Sequence, residues 1–555
     1  MRINISNHKF MKNARTFLVT LAVSVLSIGA TFAQHPPMGG GTGVSESDPY
    51  LITTPAHLAD LATFVNGGNG NATNGVYYRL MNDIDLSGYA NGYGWNPIGN
   101  GSATGPYRFQ GNFDGNDKSV KNLTINFPTG NKIGLFGHTY RATIKNLGVE
   151  NCNITGNDYV GGLVGHPFSI TVITNCYTTG KVNGRTYVGG LAGYNESSCR
   201  NTDCYSLADV SGSRNYVGGL SGYNSGSTIS NSYAKGNVSG SGNFTGGLSG
   251  NCYNASTIYN CYATGNVEAT GNDVGGLVGS NSSTIYNSYA TGNVSASGYS
   301  VGGLAGEAGG GTNQLGNRYY AFIQNCYASG SVNGSDNVGG LVGKNFSDSR
   351  IYNCVAANEA VIAPSNTANI NRIAGSNING GGGLERNYAL ATMSVQNSQG
   401  HVTITDASMN AGAAKDLNTL QSLDFYASPS NWVSGSWAGG TIRGEWQMSV
   451  WDICNGEGLP FLHWQGISCN DVSNIDGNAQ NTLLKVYPNP TNDKFVIDFD
   501  GVASIKLYDM SGKEVLKQTA NGQTEINISH LSQGVYYIQV VSEGKVVGNS
   551  KIVKQ

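Results

Sequence analysis

Asp158, Asp273 and Asp336 recur at roughly one place in the chain, the loop just ahead of a Val-Gly-Gly-Leu phrase. Carboxylates gathered on one face, often with Lys or Arg, are what a polysaccharide-cleaving site needs for general acid–base work. Thr186, Asn215, Asn243 and Tyr299 take that place in the intervening units, so these carboxylates stand isolated. The chain contains no His-Glu-x-x-His, no Gly-x-Ser-x-Gly elbow and no Gly-x-x-x-x-Gly-Lys phosphate loop. The expectation is a protein that is not an enzyme and carries no cofactor. A catalytic site assembled across distant units is the alternative.

Metal chemistry fares no better. Asp83-x-Asp85 and Asp114-Gly115-Asn116-Asp117 lack the ligand ladder of a calcium loop, and Asp-Gly is an ordinary turn pair. His138 and His166 fall at equivalent places, but Tyr194 and Tyr223 follow there, which favours a stacked column over a shared ion. No metal site is expected. Cys176, Cys204, Cys261, Cys326 and Cys354 share a position with Ser232 and Ser288, so a small side chain is what that position wants. Cys454 and Cys469 bracket a Trp-rich stretch and are the better disulfide candidate in an oxidising compartment.

What must position any such residue is a repeat. Val-Gly-Gly-Leu-x-Gly begins at Val160, Val188, Val217, Val274, Val301 and Val338, with a variant at Thr245. Most steps span 27 to 29 residues, and the long one, 37, holds an insertion at 309–318. An earlier copy is Ile133-Gly134-Leu135-Phe136-Gly137, and a decayed one lies at Ile373-Ala374-Gly375. A second phrase keeps phase with the first, as in Ile229-Ser-Asn231-Ser-Tyr233 and Ile258-Tyr-Asn260-Cys-Tyr262. Asn231, Asn260, Asn287, Asn325 and Asn353 then read as an amide ladder. Three short β-prone runs per unit, split by Gly, Asn and Ser turns, predict a right-handed parallel β-helix. Val and Leu of each phrase are three apart, so the Gly-Gly between them must host a bend.

Phrases such as Gly190-Leu191-Ala192-Gly193 and Gly276-Leu277-Val278-Gly279 resemble the GLUG repeat of bacterial surface proteins. Asp48-Pro49-Tyr50-Leu51-Ile52, Asn82-Asp83-Ile84-Asp85-Leu86 and Phe113-Asp114-Gly115 are similar to the leader that accompanies such repeats. The likeness covers about 42–466. It implies the fold and a surface setting, and says little of activity, because the repeat occurs in proteins of many kinds. Thr54-Pro55 with Leu58, Leu61, Ala62 and Val65 predicts a short helix covering the first coil. Trp432, Trp437, Trp446, Trp451 and Trp464 suggest a cap at the other end.

The termini give the address. Lys9, Lys12 and Arg15, an apolar core at 17–28 and Thr31-Phe32-Ala33 read as a signal peptide over 1–33, leaving no transmembrane segment in the mature chain. Residues 34–470 are then the solenoid, 471–483 a linker and 484–555 a small Ig-like β-sandwich of alternating strands, which completes an all-β fold class. Val486-Tyr487-Pro488-Asn489-Pro490, Leu507-Tyr508-Asp509-Met510-Ser511-Gly512-Lys513 and Gly534-Val535-Tyr536-Tyr537-Ile538 resemble the type IX secretion sorting domain of Bacteroidetes. That resemblance implies the type IX machinery as partner through 484–555, and an extracellular or outer-membrane-surface location reached via the periplasm. A net charge of −3 gives a nucleic acid partner no electrostatic support.

One surface feature suits a binding role. The residue before each Val-Gly-Gly-Leu is Tyr159, Tyr187, Tyr216 and Phe244 in four successive units, then Asp273, Ser300 and Asn337. Strand alternation points these rings outward. They are candidate binding residues for a glycan or extracellular protein, as in an adhesin; a ladder that only stiffens the sheet is the other reading. A polysaccharide-processing enzyme and a structural surface-layer component are the remaining functions.

Overall fold

In the computed structural model, residues 35–467, 469 and 485–554 are described, less 102–104, 313–317, 347, 379–382, 405–408, 438–439, 443, 445, 488–490, 499–501, 509–513 and 543–544. The expected signal peptide and the linker lie outside them. The chain divides into two compact units, 1–420 with 424–450, and 421–423 with 451–555.

The first unit is a parallel β-helix of about twelve turns. One row of strands runs from Tyr50–Ile52 through Tyr77–Leu80, Asn112–Lys121 and Thr143–Thr155 to Ser349–Tyr352 and Leu384–Glu385. Each pairs in parallel with its successor one repeat on. A second row of eight strands begins at Asp158–Gly161, and a third row of nine begins at Phe136–Tyr140. The phrase residues fill the interior: Val160, Leu163, Val188, Leu191, Val217 and Leu220 are all fully buried.

The second and third rows meet at Gly-Gly. Gly161 closes one strand and Val164 opens the next, so both Val160 and Leu163 turn inward. A Cβ on Gly161 would run into the Val164 carbonyl oxygen, and one on Gly162 into that of Gly190. The corner is therefore closed to any side chain, which explains why the pair repeats. The insertion leaves the helix as a hairpin, Gly311–Thr312 against Arg318–Tyr319.

Near the first strand sits the predicted helix, Pro55–Phe64, with Thr54 as N-cap accepting from the His57 N–H and with Leu58, Leu61, Ala62 and Phe64 buried. Gly68, at φ 93°, ends it. Two of the five tryptophans stand at the end of the first unit. Trp432 and Trp446 are buried on the last coils, where Trp446 Nε1 donates to the Asn353 carbonyl (2.9 Å). Trp451 and Trp464 belong to the second unit.

In the second unit a three-stranded and a four-stranded antiparallel sheet enclose one core containing Phe495, Ile497, Ile505, Leu507, Ile538 and Ile552. Two layers are established in this way; the immunoglobulin-like strand order expected from the sequence is not. Lys554 reaches under this module, its Nζ donating to the carbonyls of Ile528, Ser529 and Leu531 at 2.7–2.9 Å.

Candidate functional site: a two-column groove along the solenoid

Two columns of side chains run side by side where the second row of strands turns into the third. The first holds Lys132, Tyr159, Tyr187, Tyr216, Phe244, Asp273, Ser300 and Asn337, one residue per coil. All eight have φ between 50° and 68°. Simple strand alternation therefore does not govern them: each sits in a left-handed corner that the coil geometry imposes on whatever residue stands there. Tyr159, Tyr187, Tyr216 and Phe244 end up half-buried.

Their rings stack face to face, with centroids 4.9, 5.0 and 5.0 Å apart. Each inner face is covered by its neighbour, so the ladder offers solvent its ring edges and three phenol hydroxyls. A sugar cannot lie flat on a ring inside it. Burial moves the ionisation of Tyr159, Tyr187 and Tyr216 to higher pH, so these hydroxyls remain neutral hydrogen-bonding groups.

The second column runs in register through His138, His166, Tyr194, Tyr223, Asn251, Ser280, Glu307 and Lys344. His138 and His166 are stacked at 4.8 Å and Tyr194 continues the pile at 5.2 Å. The columns interlock, with Tyr159 5.1 Å from His166 and Tyr216 edge-on to Tyr223 at 4.8 Å. His166 Nε2 pairs with Glu196 at 3.0 Å, yet burial outweighs that contact and lowers its affinity for a proton.

Where the rings stop, carboxyls begin. Asp273 and Glu307 lie on successive coils and are hydrogen-bonded to each other. Burial, then the Asp273 charge, pushes Glu307 up to about 7, with Lys344 opposing. Burial likewise raises Asp273, with the neighbouring Glu307, Ser300 and Lys344 opposing. Asp158 pairs instead with Arg185 at 2.6 Å, and Asp336 bonds the Asn369 amide at 2.7 Å. The three aspartates singled out in the sequence thus remain apart.

Glu307 and Lys132 were not singled out in the sequence, although the signal was present. Glu307 follows Gly-Leu-Ala-Gly as His166 follows Gly-Leu-Val-Gly, and Lys132 precedes the early Ile-Gly-Leu copy as Tyr159 precedes Val160. A second ring ladder also went unread. Tyr177, Tyr205, Tyr233, Tyr262, Tyr289 and Tyr327 stack at 4.7–5.0 Å, and Trp446 closes its far end 6.4 Å from Tyr327. The Asn column sits in left-handed turns and its first three members form an amide ladder, Asn260 Nδ2 donating to Asn231 Oδ1 (3.2 Å) and Asn287 Nδ2 to Asn260 Oδ1 (3.3 Å), whereas Asn353 Nδ2 donates to the Val433 carbonyl (2.9 Å). Cys454 and Cys469 are joined by a disulfide with Cα atoms 5.0 Å apart, and the other eight cysteines are buried thiols. Among the described residues no group of three His, Cys, Asp or Glu side chains could hold a metal ion.

Comparison with known proteins adds to this geometry. Residues 485–555 match the family described as Secretion system C-terminal sorting domain, and 156–183, 213–239, 270–295 and 334–362 match the GLUG motif. The chain therefore carries GLUG repeats and a type IX sorting tail, and is exported to the cell surface or the extracellular space. Among the described residues no helix is long and apolar enough to cross a membrane. A protein of Evansella cellulosilytica provisionally named a Gly-rich membrane protein is 35% identical over 27% of this chain and 16% of its own length. Halomucin of Haloquadratum walsbyi is 37% identical over 22% of this chain and 1% of its own. The chain thus spans only a small share of either relative. A crystal structure from Bacteroides ovatus, of a provisionally assigned immunoglobulin A1 protease, aligns over 77% of this chain and 95% of its own, at 19% identity and a TM-score of 0.34.

Proposed function

We propose that the exported solenoid is a non-catalytic, adhesin-like binding module for a glycan or an extracellular protein, with the two-column groove as its contact surface. The observation that carries this is the ring ladder, whose phenol hydroxyls line up at about 5 Å intervals along one edge. Rigid aromatic side chains with a polar tip make large contacts at low entropic cost. The type IX tail delivers this surface to where glycans and matrix proteins are met.

A polysaccharide-processing reading draws on Asp273 and Glu307. Their geometry argues against it. Glycosidase carboxyls are held at least about 5 Å apart to admit the sugar or a water between them. These two are hydrogen-bonded to each other instead. A glycan and matrix-protein array, run beside a hydrolase and lyase screen, separates the readings: capture without turnover supports the binding module, and turnover refutes it. Self-association with neither result would leave a structural surface component and refute it as well.

A further inference from the structure

The ring ladder offers solvent only ring edges, but a pair of rings on the early coils is built differently. Phe127 and Tyr93 stack with centroids 4.4 Å apart and planes tilted by 31°. Phe127 is half-buried and Tyr93 is 65% exposed. Among the described residues no third ring covers either of them. Aromatic surface is therefore left open here.

The backbone pins both rings. Gly94 takes φ 81°, and a Cβ there would strike the Thr124 carbonyl oxygen, so the segment runs hard against the coil. The Tyr93 carbonyl accepts from the Asn126 N–H at 2.9 Å, and the Trp95 N–H donates to the Thr124 carbonyl at 2.9 Å. Trp95 is buried, and its Nε1 donates to the Leu135 carbonyl at 3.2 Å. Phe127 opens a turn that contains Pro128 and closes with the Gly130 N–H on the Phe127 carbonyl at 2.8 Å. A platform held in this way loses little freedom when a ligand settles on it.

Phe127 lines an open cleft of about 410 Å³ together with Asn96, Asn100 and Asn131. That volume lies within the roughly 300–1,000 Å³ usual for small-ligand sites. Asn100 Nδ2 donates to Asn96 Oδ1 at 2.7 Å, and Asn131 Oδ1 accepts from Asn157 Nδ2 at 3.0 Å and from the Asp158 N–H at 3.1 Å. These bonds orient the amides. They leave Asn96 Nδ2, Asn100 Oδ1 and Asn131 Nδ2 without a protein partner among the described residues. The charged groups nearby are already engaged. Lys132 Nζ donates to the Gly101 carbonyl at 3.1 Å and lies 3.2 Å from His138 Nδ1, and Asp158 pairs with Arg185 at 2.6 Å. Aromatic surface beside uncharged donors and acceptors matches a sugar without charge, whose C–H face is apolar and whose hydroxyls both donate and accept.

We infer that the cleft between Phe127 and Asn131 is a subsite for a neutral pyranose, whose C–H face rests against the Phe127–Tyr93 pair and whose hydroxyls meet the Asn96, Asn100 and Asn131 amides. The inference rests on the binding-module reading and names the ligand class for the coil just ahead of the ring ladder.

The test is titration calorimetry of the full chain with cellohexaose, mannohexaose and galactohexaose, beside acidic hexagalacturonate, at low and high salt. At least one neutral hexamer binds, and its affinity changes less than about twofold with salt. Phe127→Ala and Asn96→Asp each weaken that binding about tenfold, whereas Phe127→Tyr, which keeps the ring, retains it. Asn96→Asp keeps the oxygen that Asn100 Nδ2 uses and removes only the free donor, so it decides the matter if Phe127→Ala fails to fold. Unchanged affinity in the folded variants overturns the inference. Binding of hexagalacturonate alone overturns it while leaving the binding module intact. Silence with every hexamer overturns it too, and silence on the array as well overturns the binding module with it.

Discussion

Glu307 and Asp273 stand on neighbouring coils as a side-chain pair inside the groove, where burial raises the proton affinity of both. Both carboxyls bind protons more tightly folded than unfolded. Their stabilisation is complete below the unfolded range near pH 4.3 and is lost as pH rises through about 7. The melting temperature is therefore expected to fall between about pH 4.5 and 7, beyond any common trend. Glu307→Gln should remove that slope to within about 2 °C, measured by calorimetry across the range. An identical slope in the variant would show that the pair does not titrate as described.

Thiol chemistry gives a second expectation. Burial pushes Cys152, Cys204, Cys252 and Cys261 up to about 12, and the thiolate is the reactive form. Iodoacetamide at neutral pH should leave all eight free cysteines unlabelled in the native chain and modify them once it is denatured. Mass spectrometry counts the adducts; rapid native labelling of the Cys176–Cys354 column would contradict the packing.

Removal of 484–555 should strand the protein in the periplasm with its solenoid still folded. The sorting module has its own core, from Phe495 to Ile552. Fractionation and far-ultraviolet circular dichroism check both halves. Normal surface display of the truncated chain would refute the sorting role.

Much of this architecture was legible because a solenoid writes its period into the sequence. Val160, Leu163 and the Gly pair between them recur at one spacing, and one spacing of buried apolar residues has few solutions. The left-handed φ at Tyr159 was hidden, since nothing in a Tyr or Phe announces a conformation that glycine and asparagine prefer. Strand alternation therefore placed the rings on the right edge by reasoning that does not apply at a corner. The Asp273–Glu307 pair escaped because its members are 34 residues apart and occupy different columns. Only the offset between columns, a property of the folded coil, brings them together. The Trp446–Tyr327 closure was equally invisible, being set by how the chain returns along the flank.

The central claim is that the ring ladder is a contact surface and not merely a brace. Replace it as the later coils do, with Tyr159→Ser, Tyr187→Ser, Tyr216→Asn and Phe244→Asn in one chain. Stacked pairs contribute about 0.2–1 kcal/mol each, so the melt should move only slightly, and Asn tolerates the left-handed corner. Binding to the glycan or matrix protein captured by the wild type should fall at least about tenfold. Retained binding together with a lowered melting temperature would contradict the account and leave the ladder a structural brace alone.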